Sequence, residues 1–166
     1  TQRSVVIGPD DLPAALAAAA AFGPALVQEY VDGRELAVGF VGERALPVSE
    51  IDFSALPAGA HRLVSYAAKW DGGSVEDLGT RPVCPAPLTR ETAAEAERIA
   101  RAAWRRIEGR GYGRVDLRLD HAGRVQVIEV NPNPDLAPSA GLARMADAAG
   151  LGYSELVAAI LAEALR

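Results

Sequence analysis

Polar and apolar residues alternate most strictly between Arg114 and Asp120. Val115, Leu117 and Leu119 face one way, and Arg114, Asp116, Arg118 and Asp120 face the other. A second run, residues 125–131, sets Gln126, Ile128 and Val130 against Val127, Glu129 and Asn131. His121-Ala122-Gly123 between them is a turn signal, so the two runs predict an antiparallel hairpin. If Asp120 pairs with Val125, Asp116 lies opposite Glu129 and Arg114 opposite Asn131. Directly opposed residues share a face, so an Asp, a Glu and an Asn converge. Val115, Leu117, Leu119, Gln126, Ile128 and Val130 then form the face a core wants. A slip of one residue would mix polar with apolar on both faces. The apolar pattern therefore selects the register that gathers the carboxylates.

The other elements follow from the same periodicities. Residues 4–7 look like the end of a strand. Asp10 or Asp11 caps a helix running to about Phe22, with Pro13 in its first turn and Gly23-Pro24 at its end. Its Ala-rich body predicts close packing against a sheet. Residues 25–30 (ALVQEY), 34–41 and 44–51, separated by Asp32-Gly33 and Gly42-Glu43, predict a three-stranded antiparallel meander. Residues 63–70 predict a short strand or turn, and residues 71–80 an open acidic loop closed by Cys84-Pro85-Ala86-Pro87, which cannot be helical. Thr89 caps the strongest helical pattern, 90–108, which carries Ala96, Ile99, Ala100 and Ala103 at helical spacing. The glycines at 109, 111 and 113 end that helix instead of opening one, so they are not a dinucleotide fingerprint. Residues 139–149 predict a helix stopped by Gly150, and Ser154 caps a last one. The sum is an α+β fold, a mostly antiparallel sheet flanked by helices.

Composition narrows the function classes. With 166 residues, 49% hydrophobic and 23% charged, the chain reads as about one soluble globular domain. A net charge of −5 without a basic run argues against nucleic acid as partner. The single cysteine, Cys84, excludes an internal disulfide and a cysteine-based zinc site, and fits a reducing, cytoplasmic setting. Residues 12–22 are too short to span a bilayer, and nothing resembles a signal peptide, so no membrane partner is expected. Lys69 is the only lysine among 17 basic residues. Chance would leave one somewhere; chemistry would keep one where a compact point charge must meet a phosphate.

Two carboxylates opposed on a sheet repel. A divalent cation removes the conflict, and hard oxygen ligands in small number suit Mg²⁺, which takes its remaining ligands from water and phosphates. Taken alone, the spacing slightly favours a solvent-facing hairpin with screened charges. Asn131 and the Pro- and Asn-rich loop behind it tip the reading toward the cation. Gln28 and Glu35, taken alone, read as an exposed strand edge.

The order VQEYVDGREL, LPVSEI, YAAKW, CPAPL, GYGRVDLRLD, VIEVNPNPDLAPSAG resembles the ATP-grasp superfamily and looks closest to D-alanine–D-alanine ligases. The likeness runs along nearly the whole chain. It implies an ATP-grasp-like fold and an ATP-dependent carboxylate–amine ligase that works through an acyl phosphate, with ATP and Mg²⁺ as cofactors and small amino-acid-like substrates. It implies that Gln28, Glu29 and Val31 meet adenine, that Glu35 takes the ribose hydroxyls, and that Lys69 binds phosphate. It sets Asp116, Glu129 and Asn131 as magnesium ligands and Arg114 at the transferring phosphoryl, with Ser139 near the second substrate's carboxylate but one residue off in spacing. The 71–80 loop becomes a candidate lid.

Pro132-Asn133-Pro134-Asp135-Leu136 stands where such ligases carry a Gly-containing turn, which leaves the amine substrate open. Gln28 replaces a carboxylate common at its position. The resemblance also expects an N-terminal substrate domain and a glycine-rich loop with a further lysine. Residues 1–166 are therefore expected to be the C-terminal part of an ATP-grasp domain, completed by an N-terminal half in cis or in trans. The alternatives are a non-catalytic Mg-nucleotide-binding module and, less favoured, another ATP-grasp activity such as a carboxylase subunit.

Overall fold

The computed structural model describes residues 8–165. The strand expected at residues 4–7 lies outside them. Five strands lie in the order β4-β3-β1-β5-β6, every neighbouring pair antiparallel: β1 Gly33–Val41, β3 Ser49–Asp52, β4 Arg81–Val83, β5 Tyr112–Asp120 and β6 Val125–Asn131. The two-residue β2, Arg44–Ala45, pairs with the end of β1. The helices are α1 Leu12–Ala20, α2 Tyr66–Trp70, α3 Val75–Leu78, α4 Arg90–Arg106, α5 Gly141–Ala148 and α6 Tyr153–Ala164.

One face of the sheet is the main core. Leu36, Val38 and Phe40 of β1 and Val115, Leu117 and Leu119 of β5 pack against Ala96, Ala100 and Trp104 of α4. Alternation on the strands and helical spacing on α4 make these faces meet. Burying each large side chain here contributes on the order of 2 kcal/mol. Thr89 caps α4 as expected, its Oγ1 accepting from Thr92 N at 3.2 Å. Trp104 stacks on Phe40 with ring centroids 5.7 Å apart. Gly109 and Gly113 lie against the indole, which occupies the space a Cβ would need at either position.

The opposite face is divided. At the Val41 end, Leu142, Met145 and Ala146 of α5 and Leu156 of α6 cover it together with Leu46. Gly39 permits that contact, since a Cβ there would fall 2.7 Å from Leu142 Cδ1. Beyond α5 the same face is polar and open.

Several expectations change. Residues 25–30 form no strand, because β1 already pairs with β3 on one side and β5 on the other. Leu26 and Val27 are exposed. The 44–51 strand is interrupted after Ala45, where Pro47 has no N–H for a ladder. Residues 66–70 are helical rather than extended: Ser65 Oγ caps α2 by accepting from Ala68 N at 3.2 Å, and Ala and Lys favour the helix. The 71–80 loop is partly folded, because Ser74 caps α3 by accepting from Asp77 N at 3.0 Å. Pro82 hid β4, a short edge strand of the kind that tolerates proline. α1 buries no residue, so its expected packing is absent; alanine offers little apolar area. Asp11 precedes α1 without a side-chain cap bond, after a 3-10 turn at Pro9–Asp11. Gly152, not Ser154, caps α6, with Glu155 Oε2 accepting from Gly152 N at 2.8 Å, and α5 starts at Gly141 rather than Ser139. Among the described residues no single helix is long and apolar enough to cross a membrane.

The hairpin has the chosen register where it bears carboxylates: Arg114 pairs with Asn131 and Asp116 with Glu129. A β-bulge then intervenes, and beyond it Leu117 pairs with Val127, Arg118 with Gln126 and Leu119 with Val125. Asp120 therefore does not pair with Val125. The bulge leaves Ile128 without a partner and turns Gln126, expected in the core, to the charged face.

Candidate functional site

The open face carries three rows across adjacent strands. Glu35, Ala37 and Gly39 on β1 oppose Arg118, Asp116 and Arg114 on β5; these in turn oppose Gln126, Glu129 and Asn131 on β6. Small residues on β1 leave room above the charged middle row. Two adjoining cavities open there, of about 520 and 170 Å³, and share Glu35, Val64, Lys69 and Asp116.

The larger cavity collects most of the expected set: Gln28, Glu29, Val31, Glu35, Lys69, Asp116 and Glu129. Arg114 lines the smaller one, beside Cys84 and the N-terminal turn of α5. Asn131 lines neither; its Oδ1 accepts from Asn133 N at 2.9 Å, which fixes the side chain next to the Asp116–Glu129 pair. Ser139 also lines neither. Its carbonyl accepts a hydrogen bond from Arg144 Nη1, and it is Arg144 that reaches the smaller cavity.

Charge is tightly paired. Arg114 donates through Nε to Asp116 Oδ1 at 2.6 Å and through Nη2 to Asp116 Oδ2 at 2.8 Å. That two-pronged bond holds the Arg114 guanidinium protonated even more firmly than usual. Glu129 is pushed above the ordinary carboxylate range, first by loss of surrounding water and then by the hydrogen bond and repulsion it shares with Asp116; Arg114 and Lys69 partly offset this. Burial likewise raises Glu35, against the pull of Arg118. Burial also raises the Cys84 thiol, which keeps it protonated.

These residues fit a hard divalent cation. Asp116 and Glu129 are directly opposed on β5 and β6 and repel, a conflict that a proton or a cation between the two acids relieves. Among the described residues no third acid, histidine or cysteine joins them. A metal would draw on these two carboxylates and the Asn131 amide, and take its other ligands from water or phosphate.

Arg118, Arg144, Tyr30 and Gln126 line these cavities without having been singled out. Arg118 was legible, since alternation put it on the same face as Arg114 and Asp116. Gln126 was not, because it reaches that face only through the bulge.

Comparison with known proteins gives a consistent result. The family model for the D-ala D-ala ligase C-terminus matches residues 4–162. A D-alanine–D-alanine ligase of Halorhodospira halophila is 37% identical over 164 residues, covering 98% of this chain and 50% of that protein. One of Dichelobacter nodosus is 32% identical over 140 residues, covering 84% of this chain and 42% of that protein. Among solved structures, a D-alanine–D-alanine ligase from Bacillus anthracis superposes with a TM-score of 0.79 at 26% identity, over 97% of this chain and 49% of that one. A structure of the Bacillus anthracis ligase complexed with ATP gives 0.77 at 22% identity, over 97% and 48%. The chain thus spans about half the length of the curated relatives it matches.

Proposed function

The chain belongs to the D-ala D-ala ligase C-terminus family, and from that premise we propose that it supplies the Mg²⁺- and ATP-binding part of a carboxylate–amine ligase. The observation that carries this reading is the Asp116–Glu129 pair facing one cavity, with Arg114 bonded to Asp116 and Lys69 in the cavity lining.

In the reaction, a substrate carboxylate oxygen attacks the γ-phosphorus of ATP; ADP leaves and an acyl phosphate forms. A substrate amine then attacks the acyl carbon, the amine loses its proton, and inorganic phosphate leaves as the amide forms. Both steps concentrate negative charge. Lys69 offers a point charge for the phosphates, and the Arg114 guanidinium faces the transferring group. Asp116, Glu129 and Asn131 would hold Mg²⁺, which supplies charge neutralisation on the phosphate oxygens. Gln28, Glu29 and Val31 would meet the adenine and Glu35 the ribose. α2, α3 and the turn between them would exclude water from the acyl phosphate. Ser139 and Arg144 stand near the end of the site where an amine substrate's carboxylate would lie.

The reading includes an N-terminal half, in cis or in trans, such as the relatives have, and amino-acid-like substrates. The single free Cys84 supports a cytoplasmic setting. The test is phosphate release by the full-length polypeptide with ATP, Mg²⁺ and a panel of amino acids. Release that depends on a particular amino acid is expected, and Arg114→Ala should lower its rate on the order of 10² to 10³. ATP binding without release under any substrate would instead leave a non-catalytic nucleotide-binding module.

A further inference from the structure

Arg118 is the only polar or charged residue in the buried class among the described residues, at 5% exposure. A guanidinium withdrawn from water must find partners in the protein. Arg118 finds three, in three separate segments. Its Nε donates to the Val31 carbonyl at 2.8 Å, its Nη2 to the Arg62 carbonyl, and its Nη1 to Glu35 Oε2 at 3.1 Å. Its guanidinium carbon also lies 5.5 Å from the centroid of the Tyr30 ring and 6.0 Å from that of Phe53.

Those segments share no β-ladder. Residues 25–30 were expected to be held as a strand and are not; the Arg62 region is loop; Glu35 belongs to β1. Yet together they supply Tyr30, Val31, Glu35, Leu63 and Val64 to the larger cavity. Tyr30 Oη reinforces the junction by accepting from Arg62 N at 3.2 Å. Arg118 bonds one oxygen of Glu35, Oε2, and Glu35 itself lines the larger cavity, where its carboxylate can meet a ligand. A lysine could not do this work, because a single nitrogen cannot reach three acceptors held in a planar spread.

We infer that Arg118 is the positioning residue of the nucleoside end of the larger cavity, fastening the 25–32 segment and orienting Glu35 toward the ribose while leaving the phosphate end to other groups. The inference rests on the nucleotide reading above. Its consequence is selective: loss of Arg118 weakens recognition of base and ribose and spares recognition of phosphates and metal.

The test compares the parent protein with Arg118→Met and Arg118→Lys by calorimetry, using Mg-ATP, Mg-2′-deoxy-ATP and Mg-tripolyphosphate as probes. For Arg118→Met the expected result is Mg-ATP binding weakened about tenfold or more, the scale of one lost hydrogen bond to a charged group. The parent's preference for ATP over 2′-deoxy-ATP should disappear with it. Tripolyphosphate affinity should hold within about twofold, as for an independent site. Arg118→Lys should lose the ribose preference as well, despite keeping the charge. Should Arg118→Met lose its far-UV circular dichroism, the same readouts on Arg118→Lys decide. Unchanged ATP affinity with the ribose preference intact would overturn the inference while leaving the nucleotide reading standing. A parallel loss of tripolyphosphate binding in a folded variant would overturn it too, since Arg118 would then support the whole site. A parent protein that binds none of the three probes would overturn the nucleotide reading itself, and this inference with it.

Discussion

At the residue scale the decisive feature is a conflict between two acids. Asp116 and Glu129 face each other on adjacent strands, and Arg114 bonds only the first of them. Loss of surrounding water, with repulsion from Asp116 added to it, makes Glu129 keep its proton to higher pH in the folded chain than in the unfolded one. A raised folded-state value means that the folded protein binds the proton more tightly, so this group favours folding at low pH. That contribution is lost as pH rises from the ordinary carboxylate range through the raised Glu129 value. Glu129→Gln removes the effect. In metal-free buffer its melting temperature should exceed the parent's at neutral pH, and the gap should close below the ordinary carboxylate range. A gap independent of pH would show that Glu129 holds its proton no more tightly in the folded chain than in the unfolded one. If the pair holds Mg²⁺ as proposed, Glu129→Ala and Asp116→Ala should each weaken Mg-ATP binding in a calorimetric titration. At this scale the pair was legible in the sequence, because alternation on two runs fixes which side chains share a face. The partners of Arg114 and Arg118 were not, because they depend on rotamers and on loops brought in from far along the chain.

At the element scale, the hairpin and α4 carry the architecture and were the parts best read from sequence. Both have strong periodicity, and Leu117, Ala96 and Ala100, which the pattern marks, are fully enclosed, whereas Ile128 beyond the bulge is exposed. Leu117→Ala should cost about 2–5 kcal/mol of unfolding free energy in urea denaturation, from lost transfer energy and a cavity under α4. A cost well below 1 kcal/mol would contradict the core described here. The elements misread were those where local chemistry outweighs periodicity. Serine caps made helices of residues 66–70 and 75–78, and Pro47 cut a strand in two. Residues 25–30 have a strand's letters but no free edge beside β1, and side-chain bonds from Arg118 and Tyr30 hold the adjoining backbone instead. The bulge after Asp116 was invisible because it shifts the register without altering the count of apolar residues.

For the whole molecule, one sheet divides two tasks between its faces. The α4 face stores most of the stabilising burial, which leaves the other face free to hold charged groups close together. α5 and α6 cover only one end of that second face, and the cavities open in what remains. The chain's membership in the D-ala D-ala ligase C-terminus family fits this division. The claim on which the proposed chemistry depends is that Asp116 and Glu129 receive one divalent cation. Anomalous X-ray scattering from crystals grown with Mn²⁺ and a non-hydrolysable ATP analogue tests it directly. The expected peak lies between the two carboxylates, about 2.1 Å from an oxygen of each as for a Mg²⁺-like ion, with the Asn131 amide as a further ligand. A nucleotide bound with its metal elsewhere, and with Asp116 and Glu129 both outside the metal's coordination shell, would contradict it.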